Sequence, residues 1–200
     1  LDQRLRMLTF KFEQMQAKPD KRVPADLLRK AQGIILLDRT KAGFLFAYQG
    51  GSGVGMVKDP KTGSWSGPTF LSANQASLGF LIGGQQSFVV VLLMNTNATH
   101  ILTQSTFDFG GQAAGTAGDT TSKVEGSLSQ DYKPLMLVFT DTTGLYGGAE
   151  IKGGAISPDE QANFAYYNDY VTPADILFGH KGTPDEAAQT LVQKITQASK

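Results

Sequence analysis

The apolar residues of this chain are gathered into short runs that glycine repeatedly interrupts. The longest uninterrupted run covers the seven residues 88–94, whereas a membrane-spanning helix needs about 20 apolar residues. Short runs bounded by turn residues are typical of buried β-strands. The pattern therefore predicts a β-rich fold and excludes a helix that crosses a bilayer.

Strands are predicted wherever such a run recurs between residues 33 and 156. A segment rich in Gly and Ala, residues 110–118, is predicted to be a loop because it offers little side-chain surface for packing. The turn at residues 59–63 separates two strands. In chain order, the predicted strands lie within residues 33–38, 41–48, 53–59, 78–82, 88–94, 100–103, 135–140 and 144–156.

Amphipathic segments flank this β-rich region. A first helix is predicted over residues 1–18, since its apolar residues recur at helical spacing on one face: Leu1, Leu5, Leu8, Phe12 and Met15. Pro24 begins a short second helix, and Pro158 precedes a helical stretch that reaches Tyr167. A last helix starts with Thr183 as its cap and buries Ala187, Leu191 and Ile195.

Together these elements predict an α+β fold. We expect a Gly-rich antiparallel sheet with a barrel-like core and with N-terminal and C-terminal helices packed on it. The 200 residues suit one domain. Within it, residues 1–32 are a basic helical region, residues 33–156 a β-rich core and residues 157–200 a C-terminal helical region.

Charge is distributed unevenly, although the formal net charge is zero. Residues 1–41 carry ten basic and five acidic side chains, a net charge of +5, and the remaining residues carry eight and thirteen, a net charge of −5. A basic amphipathic segment on an acidic body allows oriented contact with an anionic surface. The balanced total argues against indiscriminate nucleic-acid binding.

The sequence offers few residues for catalysis or metal binding. It has no cysteine and only two histidines, His100 and His180, which excludes thiol catalysis, disulfides and Cys-ligated metal sites. Residues 50–54 depart from a G-x-S-x-G nucleophile motif at their last position, and no nucleotide-binding glycine pattern is complete. We therefore expect no enzymatic activity, no cofactor and no metal, with both histidines on the surface.

Several motifs follow one another in the order found in the SYLF domain family. They are AQGII from Ala31, KAGF from Lys41, G-x-G-V from Gly51, W-S-x-P-x-F from Trp65, LGF-x-IGGQ from Leu78, GLYGG from Gly144, NFAYY from Asn163 and VTPADIL from Val171. Because this ordered set covers nearly the whole chain, from about residue 25 onward, the sequence resembles that family.

The resemblance implies a compact α+β fold and a lipid-binding module. Family members are associated with phosphoinositide or acidic-lipid membranes, and some eukaryotic members with actin filaments. A peripheral membrane location is implied, periplasmic or exported if the source is bacterial. The chain departs from the family where relatives often carry Gly-x-Asp-Ala-Ser, since residues 110–114 lack the acid, and at Phe88, where Asp is common.

Docking on an anionic membrane through the N-terminal region is the function we expect first. Leu5, Leu8 and Phe12 would insert if the helix can leave the body; otherwise the helix packs on the sheet and its basic residues face water. Trp65 and Phe70 are candidate interfacial aromatics, for which packing is favoured. The candidate lipid-binding cations are Arg4, Arg6, Lys11, Lys21, Arg22, Arg39 and Lys41.

Two other functions stay open at this point. The same basic region could meet an acidic protein surface, as in a protein-interaction module, with actin as partner only if the source is eukaryotic. Alternatively, the chain could be a structural protein of the cell envelope that binds neither partner and self-associates.

Overall fold

The computed structural model describes residues 1–38, 51–73, 88–108, 135–149 and 152–200, and only the backbone of residues 146–149 and 152–155. It confirms the α+β class. Helices and one antiparallel sheet build the described part of the chain. No described helix is long and apolar enough to span a membrane.

Eight strands form the sheet, in the order β5-β8-β3-β2-β1-β4-β6-β7. All pairings are antiparallel. The order is linear, with β5 and β7 at the two edges, so the sheet is open and the expected barrel-like closure is wrong for the described strands. The strands are β1 (Gly33–Asp38), β2 (Gly51–Val57), β3 (Thr69–Ala73), β4 (Phe88–Leu93), β5 (Phe107–Asp108), β6 (Met136–Thr140), β7 (Gly144–Ala149) and β8 (Lys152–Pro158).

The central strands are buried on both faces of the sheet. Every residue of β1 and β4 is buried, which explains their continuous apolar sequence, since a strand with one wet face would alternate. Successive side chains point to opposite faces, so Ile34 and Leu36 join one hydrophobic cluster and Ile35 and Leu37 the other. The predicted strands at residues 41–48 and 78–82 lie outside the described residues.

Six α-helices accompany the described strands. The first, second, fourth and last of them contribute apolar side chains to one cluster, and the third and fifth contribute to the other. A short 3₁₀ turn, Ile101–Thr103, follows the third helix. The helices are α1 (Asp2–Gln16), α2 (Ala25–Lys30), α3 (Thr96–His100), α4 (Glu160–Tyr167), α5 (Pro173–Leu177) and α6 (Glu186–Ala198).

The predicted strand at residues 100–103 is wrong, because this segment is helical. Asn95 is the N-cap of α3, and its side-chain oxygen accepts a hydrogen bond from the Ala98 amide at 2.9 Å. Such a bond satisfies an amide that has no partner within the helix. Asn side chains bond to nearby backbone amides in turns as well as at helix N-termini, so the residue type alone does not distinguish the two structures.

The predicted start of the last helix is also displaced. Asp185 caps α6 in place of Thr183, with its carboxylate accepting from the Ala188 amide at 2.9 Å. The Tyr166 hydroxyl donates to the same carboxylate oxygen at 2.8 Å and accepts from the Asp185 amide at 2.8 Å. The contact with a tyrosine of α4, which is distant in sequence, thus stabilises Asp185 as the N-cap of α6.

Candidate interaction surface

Helix α1 buries its apolar face in the core. Leu5, Leu8 and Phe12, the predicted membrane-inserting residues, are 0%, 0% and 1% exposed. They pack in the cluster that contains sheet residues and α6. Exposing each would cost about 1.5–3 kcal/mol, so in this conformation these side chains belong to the core and cannot insert into a bilayer.

Helices α1 and α6 run parallel to each other on the sheet. Glu13 lies 3.5 Å from Lys194 near the C-terminal ends of the two helices. Arg6 and Ala187 line one groove between the helices, near their N-terminal ends. These two contacts hold α1 beside α6 along its length. The face of α1 turned away from the core is therefore a fixed surface.

The predicted cations of α1 are all paired with carboxylates. Arg4 Nη1 lies 3.3 Å from Asp159 Oδ2, and its guanidinium lies 5.6 Å from the centre of the Phe70 ring. Arg6 Nε donates to Asp2 Oδ2 at 2.8 Å. Lys11 forms a half-buried ion pair with Asp38 at the end of β1. These carboxylates weaken the field that the cations would present to an anionic membrane.

Lys21 and Arg22 lie in the turn that follows α1. Lys21 donates to the Thr142 carbonyl and lies 3.3 Å from Asp20, whose pKa that contact lowers. Arg22 is exposed, and its amide donates to the Lys18 carbonyl at 2.9 Å. The predicted cations that the structure describes thus lie on α1 and in the turn that follows it.

Other predicted features lie outside the described residues. They include two of the candidate cations and three motif segments: Arg39, Lys41, residues 41–44, residues 78–85 and residues 110–114. Of the two candidate aromatics, Phe70 is fully buried and Trp65 is half-buried against the core. Both rings therefore pack against the core, as the favoured alternative predicts.

The outer face of α1 carries two apolar side chains that the sequence analysis missed. Met7 is 46% exposed and Phe10 is 56% exposed. They are three residues apart and therefore neighbours on the helix. A groove of about 180 Å³ between α1 and α6 begins beside Phe10 and is also lined by Arg6, Glu13 and Thr190. A helical projection of residues 1–18 shows that Met7 and Phe10 are exposed, because both lie outside the buried apolar stripe.

Both histidines are exposed, as predicted. The His100 ring stacks on Phe178, with centroids 4.7 Å apart and planes at 19°. His180 has a left-handed backbone with a φ of 54°. Among the described residues, no group of three or more His, Asp or Glu side chains is placed to hold a metal ion.

Comparison with known proteins identifies the family. The model of the Ysc84 family, described as Las17-binding protein actin regulator, matches residues 74–198, more than half of the chain. The chain belongs to the Ysc84, or SYLF, family. This confirms the resemblance drawn from the motifs. The matched segment begins after β3, so it does not include α1.

Similar proteins occur in mammals and yeast. SH3 domain-containing YSC84-like protein 1 of Homo sapiens is 29% identical over 170 residues, which are 84% of this chain and 49% of that protein. LAS seventeen-binding protein 3 of Saccharomyces cerevisiae is 31% identical over 168 residues, 82% of this chain and 36% of that protein. This chain thus spans about half the length of the mammalian relatives and about a third of the yeast relative.

Proposed function

We propose that this chain is a non-enzymatic protein-interaction module whose partner is an actin filament or an actin regulator. Membership of a family described by Las17 binding and actin regulation carries the proposal. This family membership favours a protein-interaction module, one of the alternatives that the sequence left open, and favours it more than the membrane docking suggested by the N-terminal charge.

The described surface of α1 supports a protein partner. Phe10, Met7 and Arg6 are exposed next to a shallow groove, and aromatic and arginine side chains dominate the binding energy of many interfaces. Because α1 is fixed by its buried face, little conformational entropy is lost when a partner binds.

Charge on the same surface also favours a protein over a bilayer. Asp2, Glu13 and Asp159 lie among the cations of α1. A flat anionic membrane would be repelled by these carboxylates, whereas a protein surface can present charges of both signs to match them. The mixed charge therefore favours specific protein recognition.

Co-sedimentation tests this proposal. The chain is pelleted with actin filaments and, in parallel, with vesicles of acidic and of neutral lipids, at about 0.15 M salt so that weak surface attraction is screened. We expect pelleting with filaments. The double variant Met7→Ala with Phe10→Ala should weaken it by about tenfold, the loss of one good apolar anchor.

Phe164→Ala is the matched control, since Phe164 is a 41% exposed aromatic on α4. It should leave filament binding unchanged. Pelleting with acidic vesicles but not with filaments would contradict the proposal and favour membrane docking. Pelleting with none of the three, together with self-association, would favour the structural-protein alternative.

Membrane docking is retained as a second candidate because of the turn cations. Lys18 and Arg22 are exposed beside Lys21, and each cation near an anionic surface contributes about 1 kcal/mol. A peripheral membrane location would follow from this activity. If it operates, Lys18→Glu with Arg22→Glu should abolish pelleting with acidic vesicles, whereas Lys181→Glu with Lys200→Glu, a double charge reversal outside this turn, should not.

A further inference from the structure

The exposed face of α1 is arranged symmetrically about Phe10. Phe10 is 56% exposed, more than any other large apolar side chain of the helix. Arg6 lies four residues before Phe10 and Glu13 three residues after it, and both side chains are exposed. Because seven residues complete nearly two helical turns, Arg6 and Glu13 lie on the same side of α1. The apolar centre of this face therefore has a positive charge towards one end and a negative charge towards the other.

A second copy of α1 that runs antiparallel to the first would match this arrangement. A twofold axis that passes beside Phe10 reverses the order of the charges in the second helix. Arg6 of each copy then lies opposite Glu13 of the other copy, so that one contact occurs twice. Such self-complementarity is what a symmetric dimer requires, and charged side chains that flank an apolar seam determine the orientation of paired helices.

The groove between α1 and α6 offers a place for the ring of Phe10 from the second copy. It has a volume of about 180 Å³ and begins beside Phe10. Short side chains form part of its lining, since Thr9 and Ala187 are buried and Thr190 is half-buried. The volume is below the range of about 300–1,000 Å³ that is typical of small-molecule sites. A single protruding side chain therefore suits this groove better than a free ligand.

The ion pairs already present on this face are compatible with the contact. Arg6 pairs with Asp2, Glu13 pairs with Lys194, and each of these four side chains is at least 34% exposed. Ion pairs on the surface contribute little to stability, so these side chains can accept further partners. In the antiparallel arrangement the charges alternate along the row, because Asp2 and Arg6 of one copy are followed by Glu13 and Lys194 of the other.

We propose that the exposed face of α1 forms a symmetric dimer with a second copy of this chain. The two α1 helices run antiparallel, and Phe10 of each copy enters the groove of the other. The contact is limited to one helix face and its groove, which is smaller than the interfaces of stable dimers, so we expect a dissociation constant of about 0.1 mM. The dimer does not depend on the proposed function, but it covers the same face, so filament binding and self-association exclude each other.

Sedimentation equilibrium of the full chain tests the proposal. The measurements span concentrations from about tenfold below to about threefold above the expected dissociation constant, at about 0.15 M salt. We expect the average mass to rise with concentration from that of one chain towards that of two. In Phe10→Ala the association should weaken about tenfold, the loss of an aromatic anchor, whereas the matched control Phe164→Ala should change it less than twofold.

Charge reversals test the antiparallel alignment. Arg6→Glu and Glu13→Arg each replace two opposite-charge contacts with two like-charge contacts, and each variant alone should associate about tenfold more weakly. Mixed in equal amounts, the two variants should form a heterodimer with nearly the native dissociation constant, because each reversed charge then faces an opposite charge. Lys61→Glu, a charge reversal beside α3, should change the association less than twofold.

The proposal is overturned if the mass remains that of one chain throughout, or if it grows past that of two chains without a limit. It is also overturned if the mixed charge variants associate no better than each variant alone. Failure of self-association leaves the filament assay unaffected. A dimer of a chain that does not pellet with filaments would support this inference and contradict the proposed function.

Discussion

Asn163 joins helix α4 to the sheet through two hydrogen bonds. Its Oδ1 accepts from the Phe70 amide at 2.7 Å, its Nδ2 donates to Thr69 Oγ1 at 3.3 Å, and the side chain is 1% exposed. Strand β8 pairs with Leu71–Ala73 of β3, and the Asp159 amide just beyond it donates to the Phe70 carbonyl at 2.8 Å, which leaves the Phe70 amide without a strand partner. The side chain of Asn163 therefore takes over where the strand partner ends.

Replacing Asn163 should destabilise the protein markedly. In Asn163→Ala the buried Phe70 amide loses its acceptor, which should lower the free energy of unfolding by about 1–3 kcal/mol. Urea denaturation followed by circular dichroism measures this loss. The exposed Gln161→Ala on the same helix should change stability by less than about 0.5 kcal/mol. Equal effects of the two variants would contradict the assigned role of Asn163.

Asp175 completes a capping box at the start of α5. Its Oδ2 accepts from the Thr172 amide at 3.1 Å, and its own amide donates to Thr172 Oγ1 at 3.1 Å. The bond from Thr172 holds the pKa of Asp175 below its ordinary value. The stabilisation is therefore complete above that ordinary value, near pH 4, and is lost as the pH falls through the lower folded-state value.

This linkage predicts a pH-dependent effect of Asp175→Asn. The variant should have a lower urea midpoint than the native chain at about pH 7, and the difference should shrink at about pH 2.5, where the native carboxyl is protonated as well. Asp169→Asn removes an exposed charge outside the capping box and should show no such convergence. A difference that is constant with pH would mean that the ionised carboxylate is not what stabilises the cap.

At the scale of elements, helix α1 has one structural face and one free face. Leu8→Ala should lower the free energy of unfolding by about 2–5 kcal/mol, because it leaves a cavity beneath the helix. Phe10→Ala, on the exposed face, should lower it by less than about 0.5 kcal/mol. Urea midpoints of both variants measure the contrast. A large loss with Phe10→Ala would mean that this ring is packed against the body and is not free for a partner.

Elements with strong local signals were predictable from the sequence. The stripe of Leu5, Leu8, Phe12 and Met15 specified α1, and the apolar runs specified β1, β4 and β6, since periodicity and length are local properties. The dense glycines of β2 have a cause that is not local. A Cβ at Gly53 would lie 1.9 Å from the Leu36 carbonyl oxygen, so the neighbouring strand requires glycine there.

The candidate surface was less predictable, because charge pairing depends on the tertiary fold. Arg4 and Lys11 were expected to present free charge, yet their partners Asp159 and Asp38 are 155 and 27 residues away in sequence. No spacing rule relates these positions. The helical segment at Asn95 and the cap at Asp185 were missed for a different reason, since Asn, Asp and Thr favour turns and caps alike.

For the whole molecule, the division of charge along the chain has a structural counterpart. Residues of the N-terminal segment pair with residues of opposite charge in the C-terminal part, as in Arg4 with Asp159 and Glu13 with Lys194. Positive and negative side chains of the two segments thus lie side by side on one surface. They do not form one basic and one acidic patch. Net charge by segment is therefore a poor measure of the charge that this surface presents.

One cooperative unfolding transition is expected, because a single cluster joins α1, the sheet and α6. Trp65 is the only tryptophan and packs against that cluster. Its fluorescence and the far-ultraviolet circular dichroism should therefore follow the same urea curve. An earlier loss of helical signal would show that the terminal helices detach first, and would allow Leu5, Leu8 and Phe12 to reach a membrane after all.

The parallel arrangement of α1 and α6 determines how the molecule would respond to mechanical load. Leu1 lies at the start of one helix and Lys200 just beyond the end of the other, so these residues lie at opposite ends of the pair. A force applied at Leu1 and Lys200 would slide the helices along each other and strain their shared contacts simultaneously, instead of peeling them apart one at a time. A module tethered at these residues would thus resist tension through the same apolar seam that stabilises its core.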